Sequence, residues 1–153
     1  TMNSCPPHLH LDQQLCFALY SSSLAMTKAY KPRLSALGLT YPQYLVMCAL
    51  WQSPAAPLSL SDLGEQLMLD SGTLTPMLKR MQALGLITRQ RAQHDERVVW
   101  VQPTAKGMAL QDRVAQVPQQ LACRLSLSEP QRLALIAQLQ HLRDALNLPQ
   151  PPA

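Results

Sequence analysis

Cys16 is the residue in this sequence whose placement best suits thiol chemistry. It stands in what should be the first turns of a helix, where backbone N–H groups without intrahelical partners favour a thiolate. Tyr20 follows four residues later on the same face, so its hydroxyl can reach the sulfur, and a hydrogen bond given to the charged form lowers a thiol pKa. Asp12 opposes that shift, because a nearby carboxylate penalises the anion; the residues alone leave the net direction open. Two further tyrosines, Tyr30 and Tyr41, are of interest, but a continuous helix places Tyr30 roughly 21 Å along the axis from Cys16. The two cannot meet within one subunit unless the helix folds back; in an antiparallel dimer they can. Cys48 has apolar neighbours and reads as packing, and Cys5 has no predictable partner. Cys5, His8, His10 and Cys16 are metal-ligand types, but their spacing matches no closed zinc site, so no metal and no cofactor is expected. A thiol peroxidase using Cys16 catalytically is the weaker alternative, since no histidine is spaced to serve the thiol.

A second set of residues is basic. Lys79, Arg80, Arg89, Arg91, Arg97 and Lys106 fall within one short region of a chain whose formal net charge is +4, a balance that permits nucleic-acid binding without requiring it. What these residues can do depends on the elements that carry them.

The segment before Leu11 holds Pro6 and Pro7 and no helical period, so residues 1–11 read as an extended arm. Thr1, ahead of Met2, reads as a cloning remnant and is set aside. Asp12 is placed to cap a first helix, over about 12–37, that Gly38 stops and that Pro32 should kink or break near Tyr30 and Lys31. A second helix follows Pro42 and ends before Ser53 and Pro54. Ser59 and Asp62 have the spacing of a capping box and open a short helix through Leu67. After a tight connection at Leu69 and Asp70, a further helix carries Leu74, Met77, Leu78, Met81 and Leu84 on one stripe, and Gly85 ends it. Two β-type runs, 86–91 and 97–102, flank a polar tip at 92–96. Helices over about 104–125, disturbed by Pro118, and 128–146 close the chain, and 148–153 are too proline-rich to fold.

Two short helices joined by a tight turn and followed by a hairpin describe a winged helix-turn-helix, a mainly α fold with a small β-hairpin wing. The expectation is a single domain over 12–147, with a DNA-binding lobe at about 58–102 and dimerisation through the N- and C-terminal helices, about 12–37 and 104–146. Hydrophobic residues make up 47% and charged ones only 14%, more apolar surface than a monomer of 153 residues needs; a subunit interface would absorb the excess. With no uninterrupted apolar run of about 18 residues and no secretory pattern, a cytoplasmic protein with no membrane partner and its cysteines resting as thiols is expected.

Stepping 100° per residue from Leu74 puts Gly72, Thr75, Pro76 and Lys79 on the outward face of its helix. That face is small and polar, which allows close approach to base edges; Thr75 offers a hydroxyl, Lys79 and Arg80 offer charge to the backbone. Pro76 leaves two options: a helix that starts near Thr75, or one that starts near Ser71 and bends. In the hairpin, Arg89 and Arg91 share a face, and Arg97 stands beside the tip with Asp95 two positions away, as an arginine meant for a narrow minor groove would.

The runs Leu63-Gly64-Glu65, Asp70-Ser71-Gly72-Thr73-Leu74-Thr75-Pro76, Leu78-Lys79-Arg80, Gly85-Leu86, Asp95-Glu96-Arg97 and Thr104-Ala105-Lys106-Gly107 resemble the multiple antibiotic resistance regulator (MarR) family. Within it the sequence is most similar to the organic hydroperoxide resistance regulators, over roughly residues 12–146. The resemblance implies a homodimer that binds double-stranded operator DNA and a repressor released by organic hydroperoxide. It favours the bent-helix option for Pro76, includes Ser71 and Thr73 in the DNA-contacting motif, and gives Arg97 the minor-groove role with Asp95 as partner. It also implies that Cys16, Tyr20, Tyr30 and Tyr41 form the sensing set, two of the tyrosines coming from the partner subunit, and that Cys123 is the second cysteine of a two-cysteine sensor. A small phenolic or aromatic ligand, as used in the wider family, is the alternative trigger.

Overall fold

Residues 4–152 are described by a computed structural model; Thr1 and the start of the arm lie outside the described residues. The chain groups into two units that divide between Val117 and Pro118.

The arm is not simply extended. Two 3-10 turns, Pro7–Leu9 and Leu11–Gln13, replace it, the first favoured by Pro7, whose fixed φ suits an opening helical position. Helix α1 (Leu15–Ser35) follows, with Gln14 at its N-cap and no side-chain cap bond. Asp12 therefore does not cap: it falls in the second turn, two residues too early. Nor does Pro32 break the helix, which continues through it. The proline forfeits only the bond its nitrogen would have given to Lys28 O, close to the helix end, and Arg33 Nη1 donates to Ala29 O at 3.0 Å beside the gap. At the other end Gly38, at φ 78°, lets Leu39 N–H return to Leu34 O at 3.0 Å, which stops the helix as expected. Leu34 is the one residue of α1 that is buried.

Helix α2 (Tyr41–Trp51) opens on a reciprocal cap that the sequence pattern did not single out: Gln43 N–H donates to Thr40 Oγ1 at 3.3 Å, and Thr40 N–H to Gln43 Oε1 at 3.0 Å. Strand β1 (Leu58–Ser59) leads into helix α3 (Leu60–Leu67), capped by Ser59 Oγ, and then helix α4 (Ser71–Ala83). Strands β2 (Ile87–Arg91) and β3 (Val99–Pro103) form the hairpin, and β1 adds to β3, giving an antiparallel sheet in the order β1, β3, β2 with Leu58 and Arg89 both opposite Val101. The second strand begins at Val99 instead of Arg97, because Val98 N–H turns back to Asp95 O at 3.0 Å. The unexpected β1 is two residues long, too short for alternation to reveal it. Val46, Met47 and Leu50 from α2, Leu63 from α3, Leu74, Leu78 and Met81 from α4, and Ile87 and Val101 from the sheet make one core. Leu84 was expected on that stripe; it lies past the last residue of α4 and is exposed.

Helix α5 (Ala105–Val114) docks on this core through Gly107, where an added Cβ would collide with Leu86 O and come within 3.1 Å of Met47 Cε. The helix expected over 104–125 is divided: α6 (Gln116–Ala122) starts after Ala115. Pro118 accounts for the division, since it lacks the N–H that Val114 O would have received, and it sits in the first turn of α6, where proline is tolerated.

The second unit consists of the end of α6 and helix α7 (Glu129–Asn147), which begins on a reciprocal cap between Ser128 and Gln131. None of the residues of α7 is buried. No helix or strand follows among residues 148–152.

Candidate nucleic-acid interface and thiol site

The turn between α3 and α4 depends on two backbone conditions. Met68 adopts φ 56°, a left-handed conformation, and Leu69 N–H then reaches Gly64 O at 2.9 Å. Gly64 is needed for that approach, because a Cβ there would stand 2.8 Å from Leu69 O. Asp70 caps α4, its Oδ1 accepting from Thr73 N–H at 2.7 Å. That backbone bond, then the Thr73 side chain, holds the Asp70 carboxyl below the usual carboxylate range. α4 thus starts at Ser71 and runs through Pro76, which decides between the two options for the proline. Ser71, Gly72, Thr73, Pro76, Lys79 and Arg80 are exposed and Thr75 half-buried, an outward face opposite the buried Leu74, Met77, Leu78 and Met81.

At the wing tip Arg97 is held as a fork on Asp95: Nε donates to Oδ1 at 3.0 Å and Nη2 to Oδ2 at 3.2 Å, while Arg97 N–H also donates to Oδ1 at 3.0 Å. The Arg97 side chain is 90% exposed, so the pair adds little to stability and its effect is to aim a cation outward. Arg97 keeps the Asp95 carboxyl below its ordinary range. Arg91 Nη1 donates to Glu96 O at 3.0 Å, bracing the same tip, and Arg89 Nε donates to Gln82 Oε1 at 2.7 Å, tying β2 to α4. Lys106, grouped with these cations by sequence, turns instead to the C-terminal end of α4, where Nζ donates to Leu84 O at 2.8 Å.

Cys16 is the second residue of α1 and is exposed; Tyr20, one turn later, is 62% exposed. Among the described residues no hydrogen bond joins them. Tyr30 and Tyr41 do meet, ring centroids 5.0 Å apart in an edge-on arrangement. Tyr44 completes a triangle with them, 5.6 Å from Tyr30 and 5.8 Å from Tyr41. Cys48 stands four residues after Tyr44 on α2, on the same face of the helix. Burial is the main cause that pushes all three phenols above their ordinary value, and it pushes the Cys48 thiol up as well. Cys48 is half-buried, and beside its packing it has this polar neighbour. Tyr44 is the member of the cluster that the sequence did not single out; the spacing of Tyr41, Tyr44 and Cys48 along one face of α2 was the available sign. Cys123, exposed, directly follows α6, and Cys5 is exposed in the arm, where His10 Nε2 lies 3.2 Å from Cys5 O. Among the described residues no three His, Cys, Asp or Glu side chains gather in a way that could hold a metal ion.

A short capped helix, a glycine-dependent turn, a second helix with a small polar face and a hairpin tipped by a clamped arginine define a winged helix-turn-helix protein. The family profile described as transcriptional regulator SarA/Rot matches residues 28–114. The sequence is 52% identical over 111 residues to the organic hydroperoxide resistance transcriptional regulator of Bacillus subtilis (strain 168), covering 72% of this chain and 74% of that one. Reduced AbfR bound to DNA, from the AbfR of Staphylococcus epidermidis, superposes with a TM-score of 0.74 at 32% identity, over 90% of this chain and 95% of that one. Disulfide-formed AbfR matches at a TM-score of 0.64 and 36% identity, over 86% and 91% of the two chains. The chain belongs to the MarR-like winged-helix transcriptional regulators. No helix among the described residues is long and apolar enough to cross a membrane.

Proposed function

We propose that the protein is a cytoplasmic, homodimeric repressor that binds double-stranded operator DNA while reduced and lets go when an organic hydroperoxide oxidises Cys16. The observation that carries this reading is the meeting of Tyr30 and Tyr41, 5.0 Å apart at their ring centres, with Cys16 exposed on the same helix as Tyr30 but about 21 Å away along it. Two clustered phenols far from the thiol of their own chain suit donation to the thiol of a second copy. Exposed Leu15, Phe17 and Leu24 on α1 and the unburied apolar residues of α7 are the surfaces through which such a dimer would form. The naming of a 52% identical relative for organic hydroperoxide resistance, and a relative solved both on DNA and with a disulfide formed, support the same trigger.

In the proposed reaction the Cys16 thiolate attacks the distal oxygen of the hydroperoxide and the O–O bond breaks; that oxygen stays on sulfur as a sulfenic acid, and the alkoxide leaves as the alcohol after taking a proton. The Cys123 thiol of the partner subunit then displaces water from that sulfenic acid to give an intersubunit disulfide. Shifted terminal helices would misplace the paired α4 helices, which must keep the spacing of two half-sites. On the DNA, Ser71, Gly72, Thr73, Thr75 and Pro76 face the major groove, Lys79, Arg80, Arg89 and Arg91 the backbone, and Arg97, held by Asp95, the minor groove.

The test is operator affinity against cumene hydroperoxide, together with non-reducing electrophoresis. Wild type should release DNA and run as a cross-linked dimer, Cys16→Ser should do neither, and Cys123→Ser should lose the cross-link. Release in the absence of Cys16 defeats the reading. Repeated peroxide turnover with a reductant, beyond one oxidation per subunit, would indicate an enzyme instead. A second trigger, a small aromatic acid or phenol, is favoured by one feature: a cavity of about 280 Å³ with Leu37, Leu84, Leu86 and Leu110 on its walls and Lys106 and Arg113 beside them. Release by such a ligand with no response to peroxide would select it.

A further inference from the structure

Arg91 and Arg97, at the tip of the wing, are held from within it, by Glu96 O and by Asp95. Arg89 is held from outside. Its Nε donates at 2.7 Å to Oε1 of Gln82, a residue of α4, so one bond joins the wing to the helix placed for the major groove. Local geometry brings the two together. Residues of β2 alternate between the faces of the sheet, so Arg89 shares its face with the buried Ile87 and stands opposite the buried Val101. Gln82 follows the buried Met81 in the last turn of α4, and Gly85, at φ 76°, turns the chain from that helix toward β2. Arg89 is accordingly half-buried and Gln82 exposed, at the edge where the core meets solvent.

The type of partner matters. A carboxylate would hold the guanidinium more tightly but offset its charge, whereas the amide oxygen of glutamine holds it and leaves the charge whole. The bond occupies one edge of the planar fork; Nη1 and Nη2 take no hydrogen-bond partner among the described residues. An arginine fixed at Nε and open at its far edge suits an anion with paired oxygens, which in duplex DNA is a phosphate. A sugar–phosphate strand separates a major groove from the adjacent minor groove, so a cation tied between α4 and the wing faces such a strand.

We propose that Gln82 is a positioning residue for DNA binding, holding Arg89 by Nε so that its free edge meets a phosphate of the strand between the grooves entered by α4 and by the wing. The proposal rests on the operator-binding reading, in which Arg89 faces the backbone, and adds that this contact depends on a neutral side chain of another element. With the guanidinium already held in the free protein, its rotamer freedom is lost on folding and not again on the DNA.

The experiment uses the full reduced chain, an operator duplex that it selects from random-sequence DNA, and the variants Gln82→Met, Arg89→Ala and the double variant. Gln82→Met keeps the length of the side chain and a good helix former but removes the carbonyl oxygen. Fluorescence anisotropy over a salt series gives each affinity and its salt slope. Gln82→Met should weaken binding by roughly 2- to 10-fold, the cost of immobilising one freed side chain on binding, with Tm unchanged. Arg89→Ala should weaken it at least as much and flatten the salt slope by about one, as the loss of a phosphate contact does. The double variant should match Arg89→Ala alone, because Gln82 acts only through Arg89. Wild-type affinity in Gln82→Met overturns the assignment. So does a Gln82→Met loss that persists in the Arg89→Ala background, which would mean that Gln82 touches DNA itself or supports the fold. Wild-type affinity and slope in Arg89→Ala is the separate result that removes Arg89 from the backbone contacts, and this assignment with it.

Discussion

Asp95 and Arg97 stand two residues apart at the end of a hairpin and hold each other by three hydrogen bonds, the arginine side chain 90% exposed and the carboxylate 39%. Such a pair contributes little to folding, so its consequence should appear in binding. Arg97→Ala should weaken operator binding by roughly tenfold or more and reduce the salt slope by about one, with thermal stability unchanged; fluorescence anisotropy over a salt series measures both. Asp95→Ala should cause a smaller loss, because the arginine remains and only its aim is lost. The sign of any pH effect follows from the direction of the Asp95 shift: a carboxyl held below its ordinary value stays ionised above that value, and the clamp is lost only as pH falls through the lowered one. The loss in Asp95→Ala should therefore be the same factor at about pH 6 and about pH 8. This pair was readable in the sequence because its members are neighbours on the chain. Tyr44 was not, because a tyrosine on a buried helical stripe looks like core until the fold brings the rings of Tyr30 and Tyr41 against it.

Where an element begins and ends was readable from several local signals, though not at Asp12, which does not cap α1, nor at Thr40, whose cap on α2 was missed. Gly38 and Gly85 stop helices at positive φ, and Ser59 and Ser128 cap them from within three residues. Causes that act at a distance were read less fully: a disturbance by Pro118 was expected and is found, but its exact place was not. Pro118 divides α5 from α6 at Ala115, because the bond it removes belongs to a carbonyl four residues back. Pro32 falls where the helix can lose one bond and continue. Gly107 carries a role that no turn signal announces: α5 lies so close to the corner between α4 and β2 that Leu86 O occupies the place of a side chain, and Trp51 Nε1 donates to Gly107 O at 3.1 Å from the other side. Backbone cannot yield as a flexible side chain can, so Gly107→Ala should destabilise the fold by about 2–3 kcal/mol, a fall in Tm of roughly 5–10 °C. Thermal denaturation followed by circular dichroism measures it; a Tm within about 1 °C of wild type would mean that α5 can slide away without loss.

At the scale of the whole molecule, a chain that is 47% hydrophobic and 14% charged leaves one long helix without a buried residue. Leu135, Leu139, Leu142 and Leu146 recur at helical spacing on α7, with Leu135 43%, Leu139 40% and Leu146 69% exposed. In the proposed dimer this stripe is covered, and twofold symmetry makes every substitution count twice. Leu139→Glu keeps a good helix former at an exposed position, so the single chain should fold as before. Across a subunit interface the same change would bury a carboxylate in each copy, a penalty of several kcal/mol per ion without a partner. Light scattering coupled to size exclusion should then show the mass of one chain, circular dichroism should be unchanged, and operator affinity should collapse, because only a paired molecule spans two half-sites. His141→Glu, about 160° round the helix from Leu139, is the control that should stay dimeric. A Leu139→Glu protein that remains a dimer at micromolar concentration would remove α7 from the interface and leave its leucines in need of another explanation.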